Sequence, residues 1–167
     1  MMAHNRHSVD AIFVLDGSDD GTDEILASYS EVKKIFRDDE VAPNERVRDF
    51  HRQILLDAAV KAYGHDHWFT LMHGDEFFHD DPRQVIEKAE RQGAKRVNWA
   101  AMQFFLHSSD EPADLSLPVQ ERLRWYSPFW VELRQFKGNQ SMRYQVGKHG
   151  QVIPEGVGWQ PYFKMPI

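Results

Sequence analysis

Short apolar runs alternate with helix-like stretches as far as residue 106, and this alternation constrains the fold more than any other feature. The first run, Ala11–Leu15, has β-branched and aromatic members and ends at a turn signal, which is typical of a buried strand. Strand-like runs follow at 32–36, 68–72 and 96–106, separated by helix-like stretches at 22–29, 45–63 and 82–92. Strands that alternate with helices form βαβ units, so the sequence predicts an α/β fold with a parallel sheet.

The longest predicted helix, 45–63, has apolar residues spaced three and four positions apart. This spacing predicts one buried face. The predicted stripe comprises Val47, Phe50, Ile54, Leu55, Ala58, Ala59 and Ala62.

The character of the sequence changes after Leu106. A Ser-, Asp- and Pro-rich loop covers 108–118, an aromatic-rich stretch follows, and glycines and prolines interrupt the chain from Gly138 onward. We therefore predict one domain over 1–167, in which 11–106 forms the βαβ part and 107–167 an irregular part beside the site.

Composition excludes several classes of function. Twenty Lys and Arg against twenty-six Asp and Glu give a net charge of -6, which argues against a protein that binds nucleic acid through its phosphates. The chain has no cysteine, no apolar stretch near the roughly 18 residues that a membrane span needs, and a polar start unlike a signal peptide. These features predict a cytoplasmic protein, with His4 and His7 in a mobile terminus.

The first acidic segment follows the first predicted strand and reads Asp16-Gly17-Ser18-Asp19-Asp20-Gly21-Thr22. In open parallel sheets, ligands bind outside the carboxyl ends of the strands. A carboxylate there can accept hydrogen bonds from a base or a ribose, and the glycines allow close backbone approach. The alternative is a plain Asx-turn that caps a helix.

The second acidic segment, His73-Gly74-Asp75-Glu76-Phe77, follows the predicted strand 68–72. If the chain is still extended there, His73 and Asp75 point to the same side and Glu76 points away. One imidazole, one carboxylate, water and two phosphate oxygens would suit Mg²⁺ or Mn²⁺. Such an ion would supply the positive charge that an acidic protein needs in order to hold a diphosphate. The alternative is a solvated loop with incidental charges.

Taken together, the two segments resemble the GT-A glycosyltransferases, in particular the inverting family 2. That family commonly shows Asp-Asp-Gly-Ser-x-Asp-Gly-Thr after an early strand, and the segment 15–22 matches every position but the first, where Leu15 stands. It also carries an Asp-x-Asp-Glu-Phe type motif at a strand end, where this chain has His73 in place of the first Asp. The likeness extends from Val9 to Arg96.

The resemblance implies a Rossmann-like GT-A fold, with a mainly parallel sheet flanked by helices, that binds a nucleotide-diphosphate sugar. Asp16 would contact the base or ribose. Asp75 and His73 would hold Mn²⁺ or Mg²⁺ on the donor diphosphate, and His149 is a further candidate ligand. The other residues expected in the nucleotide-sugar site are Gly17, Ser18, Asp20 and Arg52.

Inverting transfer also needs a carboxylate base to deprotonate the acceptor hydroxyl. Asp110 and Glu111 lie in the right stretch, with Glu132 as a third candidate. The acceptor would be a carbohydrate or a lipid-linked sugar. One or two aromatic side chains would line its groove, and the core would hold most of the candidates, which are Trp125, Tyr126, Phe129, Trp130 and Trp159.

Two other functions stay open on the sequence. Leu15 and His73 depart from the acidic pattern, and only ten residues precede the strand at 11–15, which we expect to be the second strand of such a domain. Both features favour a truncated or non-catalytic glycosyltransferase-like binding protein. A metal-dependent hydrolase built on His73, Asp75 and His149 has no supporting motif.

Overall fold

The computed structural model describes residues 2–37, 48–105, 117, 119–122, 125–145, 153–157 and 162–164. Its helices are α1 (Met2–Asn5), α2 (Thr22–Ala27), α3 (Arg48–Tyr63), α4 (Pro82–Arg91) and α5 (Val119–Arg122), with a 3-10 turn at Arg6–Ser8. Its strands are β1 (Ile12–Asp16), β2 (Val32–Arg37), β3 (Trp68–Thr70), β4 (Arg96–Phe105), β5 (Trp125–Lys137) and β6 (Tyr162–Lys164). The predicted alternation of strands and helices is confirmed up to β4.

Strands β1 and β2 form a parallel pair, connected through α2. Their register sets Ile12 opposite Val32 and ends with Asp16 opposite Arg37. Parallel strands joined through a helix bring their carboxyl ends to the same edge. The first acidic segment therefore starts beside the end of β2.

The remaining strands form a second sheet in the order β3-β5-β4-β6. Strand β5 runs antiparallel to both β3 and β4, whereas β6 runs parallel to β4. The α/β class is confirmed, but among the described strands two pairs are parallel and two are antiparallel, so parallel pairing does not predominate.

The central strand β5 corrects the prediction of an irregular region after Leu106. Its sequence lacks the alternation of a half-buried strand and contains Pro128, which has no N–H for the ladder. The structure accommodates that proline where the register shifts, between the pairs Ala101↔Trp130 and Met102↔Pro128. An irregularity of this kind is where a sheet tolerates proline.

Helices cover both faces of the second sheet. On one face, Leu56 of α3 packs in a cluster with Phe136, Met142, Tyr144 and Val157. On the other, α4 packs against β4 in a cluster that comprises Val85, Ala89, Ala94, Val97 and Trp99. Val97 pairs with the residue preceding Phe136, and neighbouring residues of a strand point to opposite faces, so the sheet is the middle layer of three.

Helix α3 also connects the two sheets, because the ring of Tyr63 makes an edge contact with Phe13 of β1 at 6.3 Å. Among residues 51–63 of α3, the part whose burial the structure describes, the most buried is Leu56, which lies outside the predicted stripe. The apolar run at 54–56 fits more than one helical face, and only packing against Phe136 selects between them.

Gln135 connects three strands inside the second sheet. Its side chain has no exposed surface. The amide oxygen accepts a 3.0 Å hydrogen bond from Trp99 Nε1 in β4, and the amide nitrogen donates to Thr70 Oγ1 in β3 at 3.2 Å. These bonds satisfy a buried polar group and orient the end of β3, from which the second acidic segment begins.

Candidate functional site

The Asp16 carboxylate ends β1 and is buried, with 6% of its residue surface exposed. Its Oδ1 accepts the Ser18 backbone N–H at 3.1 Å, and its Oδ2 accepts Nη1 of Arg37 at 2.8 Å. Nη2 of Arg37 donates to the Ser18 carbonyl at 2.6 Å, so the arginine also holds the loop backbone. The turn alternative is therefore present in the structure, and a contact of Asp16 with a base or ribose stays a prediction.

Asp20 organises the start of α2. Its Oδ1 accepts the Thr22 hydroxyl at 2.6 Å and the Thr22 N–H at 3.1 Å. These bonds, first that of the hydroxyl, lower the pKa of Asp20 below its ordinary value. Gly21, between Asp20 and Thr22, has a φ of 84°, a conformation that glycine adopts without steric cost.

The other residues predicted for the nucleotide site lie near this edge or on α3. Gly17 and Ser18 form the loop after Asp16, and Arg52 is half-buried in α3. The neighbour of Arg52, Gln53, accepts the Tyr144 N–H at 2.5 Å, which attaches the segment 139–145 to the helix. Their roles in nucleotide binding stay predictions.

The second acidic segment forms a turn, so the condition on which His73 and Asp75 would point to the same side, an extended chain at 73–76, is not met. The Leu71 N–H still donates to the Arg134 carbonyl at 2.8 Å, one residue beyond β3. The chain then turns, because the Glu76 N–H donates to the His73 carbonyl at 3.3 Å and the His73 N–H donates to Glu76 Oε2 at 2.9 Å. This reciprocal pair leaves His73, Gly74 and Asp75 at the tip.

The His73 and Asp75 side chains are both exposed. Within the described part of the chain, no hydrogen bond or ion pair engages the imidazole or the carboxylate. Exposed, unengaged groups of these two types suit Mn²⁺ or Mg²⁺ when phosphate and water complete the shell. No cluster of three or more ligating side chains occurs among the described residues, and His149 lies outside them.

A buried arginine fixes the base of this turn. Arg134 of β5, whose side chain is about one-tenth exposed, forms ion pairs with Glu76 and with Glu132. Two partly exposed carboxylates thus share one desolvated cation, which favours a single arrangement of all three. Glu132, the third candidate base, therefore lies one side chain away from the predicted metal loop. Asp110 and Glu111 lie outside the described residues.

The amino-terminal segment holds the other side of the turn. The Asn5 amide donates to the Glu76 carbonyl at 2.8 Å, and its oxygen accepts the Phe78 N–H at 3.2 Å. Arg83 of α4 donates to the His7 carbonyl at 3.2 Å and to Asp10 at 2.8 Å. The expectation of a mobile terminus is thus wrong for 2–10, since these contacts and the burial of Met2 and Asn5 attach it to the rest of the fold.

Sequence reasoning missed Arg37, Arg134 and Asn5. Arg37 had a usable signal, because it directly follows the strand predicted at 32–36, and a basic residue at that end of the sheet meets Asp16. Arg134 and Asn5 had no such signal in the sequence, since Arg134 lies 58 positions and Asn5 lies 71 positions from Glu76, which they contact.

No protein-family model, curated protein or solved structure matches this chain. The fold and the site together define an α/β protein with two acidic loops at strand ends. None of the helices in the described ranges is long and apolar enough to cross a membrane.

Proposed function

We propose that this chain is a metal-assisted, inverting glycosyltransferase of the GT-A type. It would transfer a sugar from a nucleotide-diphosphate donor to an acceptor hydroxyl in the cytoplasm. The observation that carries the proposal is the turn at 73–76, which is held by remote contacts yet presents an unengaged imidazole and carboxylate. A loop that served only as a connection would not need such support.

The proposal includes one Rossmann-like, mainly parallel sheet that unites the two described sheets. Helix α3 supports this arrangement, because it packs on β1 through Tyr63 and on β5 through Leu56. The ends of β1 and β3 would then line one edge, as ligand sites in open α/β sheets require.

The nucleotide would lie against Gly17 and Ser18, with Asp20 and Arg52 near it. A carboxylate oxygen has two lone pairs, so Asp16 can accept one more hydrogen bond at each oxygen beside those from Ser18 and Arg37. This would suffice for a base N–H or a ribose hydroxyl.

His73 and Asp75, with His149 as a further candidate, would hold the divalent ion on the diphosphate. A bound ion neutralises the charge that develops on a leaving diphosphate. Because imidazole suits Mn²⁺ better than the harder Mg²⁺, His73 favours manganese.

The acceptor would be a carbohydrate or a lipid-linked sugar, deprotonated by a carboxylate of this chain. Asp110 and Glu111 remain candidates, and Glu132 gains support because Arg134 orients it beside the turn. The paired rings of Phe104 and Tyr126, 5.8 Å apart and exposed, offer a face on which a sugar ring can stack.

Thermal unfolding with nucleoside diphosphates and Mn²⁺ tests the proposal. At a concentration one hundred times Kd, binding adds about 2.7 kcal/mol to the free energy of unfolding, which raises Tm by roughly 5 to 10 °C. Asp75→Ala should abolish the Mn²⁺-dependent part, whereas Asp80→Ala, an exposed carboxylate outside the turn, should retain it. His73→Asp should shift the preference from Mn²⁺ toward Mg²⁺. Absence of any shift with UDP, GDP, ADP or CDP and either ion would refute the proposal.

The alternative is a non-catalytic glycosyltransferase-like binding protein. It is favoured by one observation, the engagement of both Asp16 oxygens by Ser18 and Arg37 in a buried position. Nucleotide-dependent stabilisation without hydrolysis or transfer of any UDP- or GDP-sugar, across a panel of acceptors, would favour this alternative.

A further inference from the structure

Asn5 is among the most buried polar residues of the described chain, with 2% of its surface exposed. It lies in a four-residue helix at the start of the chain, and its amide reaches the segment directly after Asp75. One hydrogen bond goes to the carbonyl of Glu76 and the other comes from the N–H of Phe78. The Asn5 side chain therefore bonds one backbone carbonyl and one backbone N–H on either side of Phe77, as a neighbouring strand would.

The neighbouring His4 strengthens this attachment. Its Nε2 lies 2.8 Å from the Phe78 carbonyl, and its ring makes an edge contact with Phe77 at 5.6 Å. The Glu76 carbonyl and both backbone polar groups of Phe78 are thus bonded to α1, which belongs to neither sheet. The segment after the turn takes its position from the amino terminus.

The turn has two independent supports. Arg134 fixes the Glu76 side chain from β5, and Asn5 fixes the Glu76 backbone from α1. Since the Glu76 side chain and N–H close the turn onto His73, displacement of Glu76 would move both predicted ligands. Groups that hydrogen-bond directly to metal ligands change metal affinity by about 10- to 100-fold when they are mutated, and Asn5 acts one step further away, through Glu76.

We infer that Asn5 is a positioning residue that holds the turn 73–76 in its metal-binding arrangement. The inference rests on the function proposed above. It deepens that function by making the amino-terminal segment part of the donor site.

The test uses Asn5→Asp, which retains an acceptor for the Phe78 N–H but loses the donor to the Glu76 carbonyl. Asn5→Ala is the second variant. Arg83→Gln is the matched control, because it removes two hydrogen bonds from the same segment, to His7 and Asp10, without contacting the turn. Each protein is examined by amide hydrogen exchange at Glu76 and by Mn²⁺ affinity from electron paramagnetic resonance.

Exchange at Glu76 is the decisive signal, since its N–H donates to His73 and does not touch Asn5. We expect at least tenfold faster exchange there in both Asn5 variants, a loss of Mn²⁺ affinity of about tenfold, near the lower end of the range for groups bonded directly to metal ligands, and little change of either in Arg83→Gln.

Unchanged exchange at Glu76 in the Asn5 variants would overturn the inference, as would faster exchange with unchanged Mn²⁺ affinity or an equal effect of Arg83→Gln. A wild-type protein that binds no Mn²⁺ would instead overturn the proposed function, and the exchange data would still decide whether Asn5 holds the turn.

Discussion

The two acidic loops of this protein are supported in opposite ways. In the Asp16 loop, the carboxylate is buried and bonded to Ser18 two residues away and to Arg37 on the adjacent strand. In the turn at 73–76, the two predicted ligand side chains are exposed, while the backbone and the Glu76 side chain are held by Asn5 and Arg134.

The difference shows that one acidic motif is held partly by its own carboxylate, whereas the other is held by residues from distant parts of the chain. The Asp16 loop uses its carboxylate for its own structure, and its supports come from Ser18 within the loop and from Arg37 on the adjacent strand. In the second loop, His73 and Asp75 make no structural bonds through their side chains, because the distant residues Asn5 and Arg134 fix the shape of the loop. A motif with unengaged ligands is a stronger indication of binding than one whose acidic groups are internally bonded.

Replacement of Arg134 should have the largest effect on the free energy of unfolding, because it removes the support that β5 gives to the turn at 73–76. Arg134→Met leaves the Glu76 and Glu132 carboxylates without their shared cation. Because both carboxylates are partly exposed, we expect a loss of about 3 kcal/mol of the free energy of unfolding, the lower end of the range for buried ion pairs. Urea denaturation measures this quantity.

The control for Arg134 is a variant in which both carboxylates are already neutral. In the Glu76→Gln, Glu132→Gln background, Arg134→Met should cost much less, because no uncompensated charge remains. Equal costs in the two backgrounds would mean that the ion pairs do not support the turn.

Asp16→Ala should have an intermediate effect and should break the local support. It removes a charged acceptor from the Ser18 N–H and from Arg37, which corresponds to about 2–3 kcal/mol of unfolding free energy. Asp19→Ala, an exposed neighbour in the same loop, should stay within about 0.5 kcal/mol of wild type. Comparable losses in the two variants, measured by urea denaturation, would contradict the structural role of Asp16.

Asp10→Asn should have the smallest effect on the free energy of unfolding, because the ion pair of Asp10 with Arg83 is exposed whereas that of Glu76 with Arg134 is partly buried. The hydrogen bond from Arg83, and then its charge and that of His67, lower the pKa of Asp10, while slight desolvation opposes them. Because the pKa in the folded state lies below the ordinary value of about 3.9, the pair stabilises the fold above pH 4 and loses its effect as the pH falls through the lowered pKa.

Solvent screens this exposed pair, so Asp10→Asn should cost less than about 1 kcal/mol at pH 7. In urea denaturation the cost should shrink as the pH falls through the lowered pKa of Asp10 and vanish below it. A cost that persists at low pH would assign the effect to packing instead of charge.

Much of the first two thirds of the fold was predictable because its signals are local. The strand at 11–15 and the proline that starts α4 each depend on a few consecutive residues. The predicted caps among Ser18, Asp19 and Asp20 are wrong, because the N-cap of α2 is Gly21. Strand β5 was not predictable in this way, because Pro128 disrupts its pattern and its pairing with β3 and β4 depends on residues far along the chain.

The sequence by itself determined the α/β alternation and the position of both acidic segments directly after strands, since periodicity and turn chemistry act within short windows. Only the tertiary structure decided that β5 lies between β3 and β4, that Leu56 of α3 is buried, and that Asn5 and Arg134 hold the turn at 73–76. Those features depend on contacts between residues far apart in the chain, which form when apolar surface is buried. A local sequence pattern does not specify such contacts.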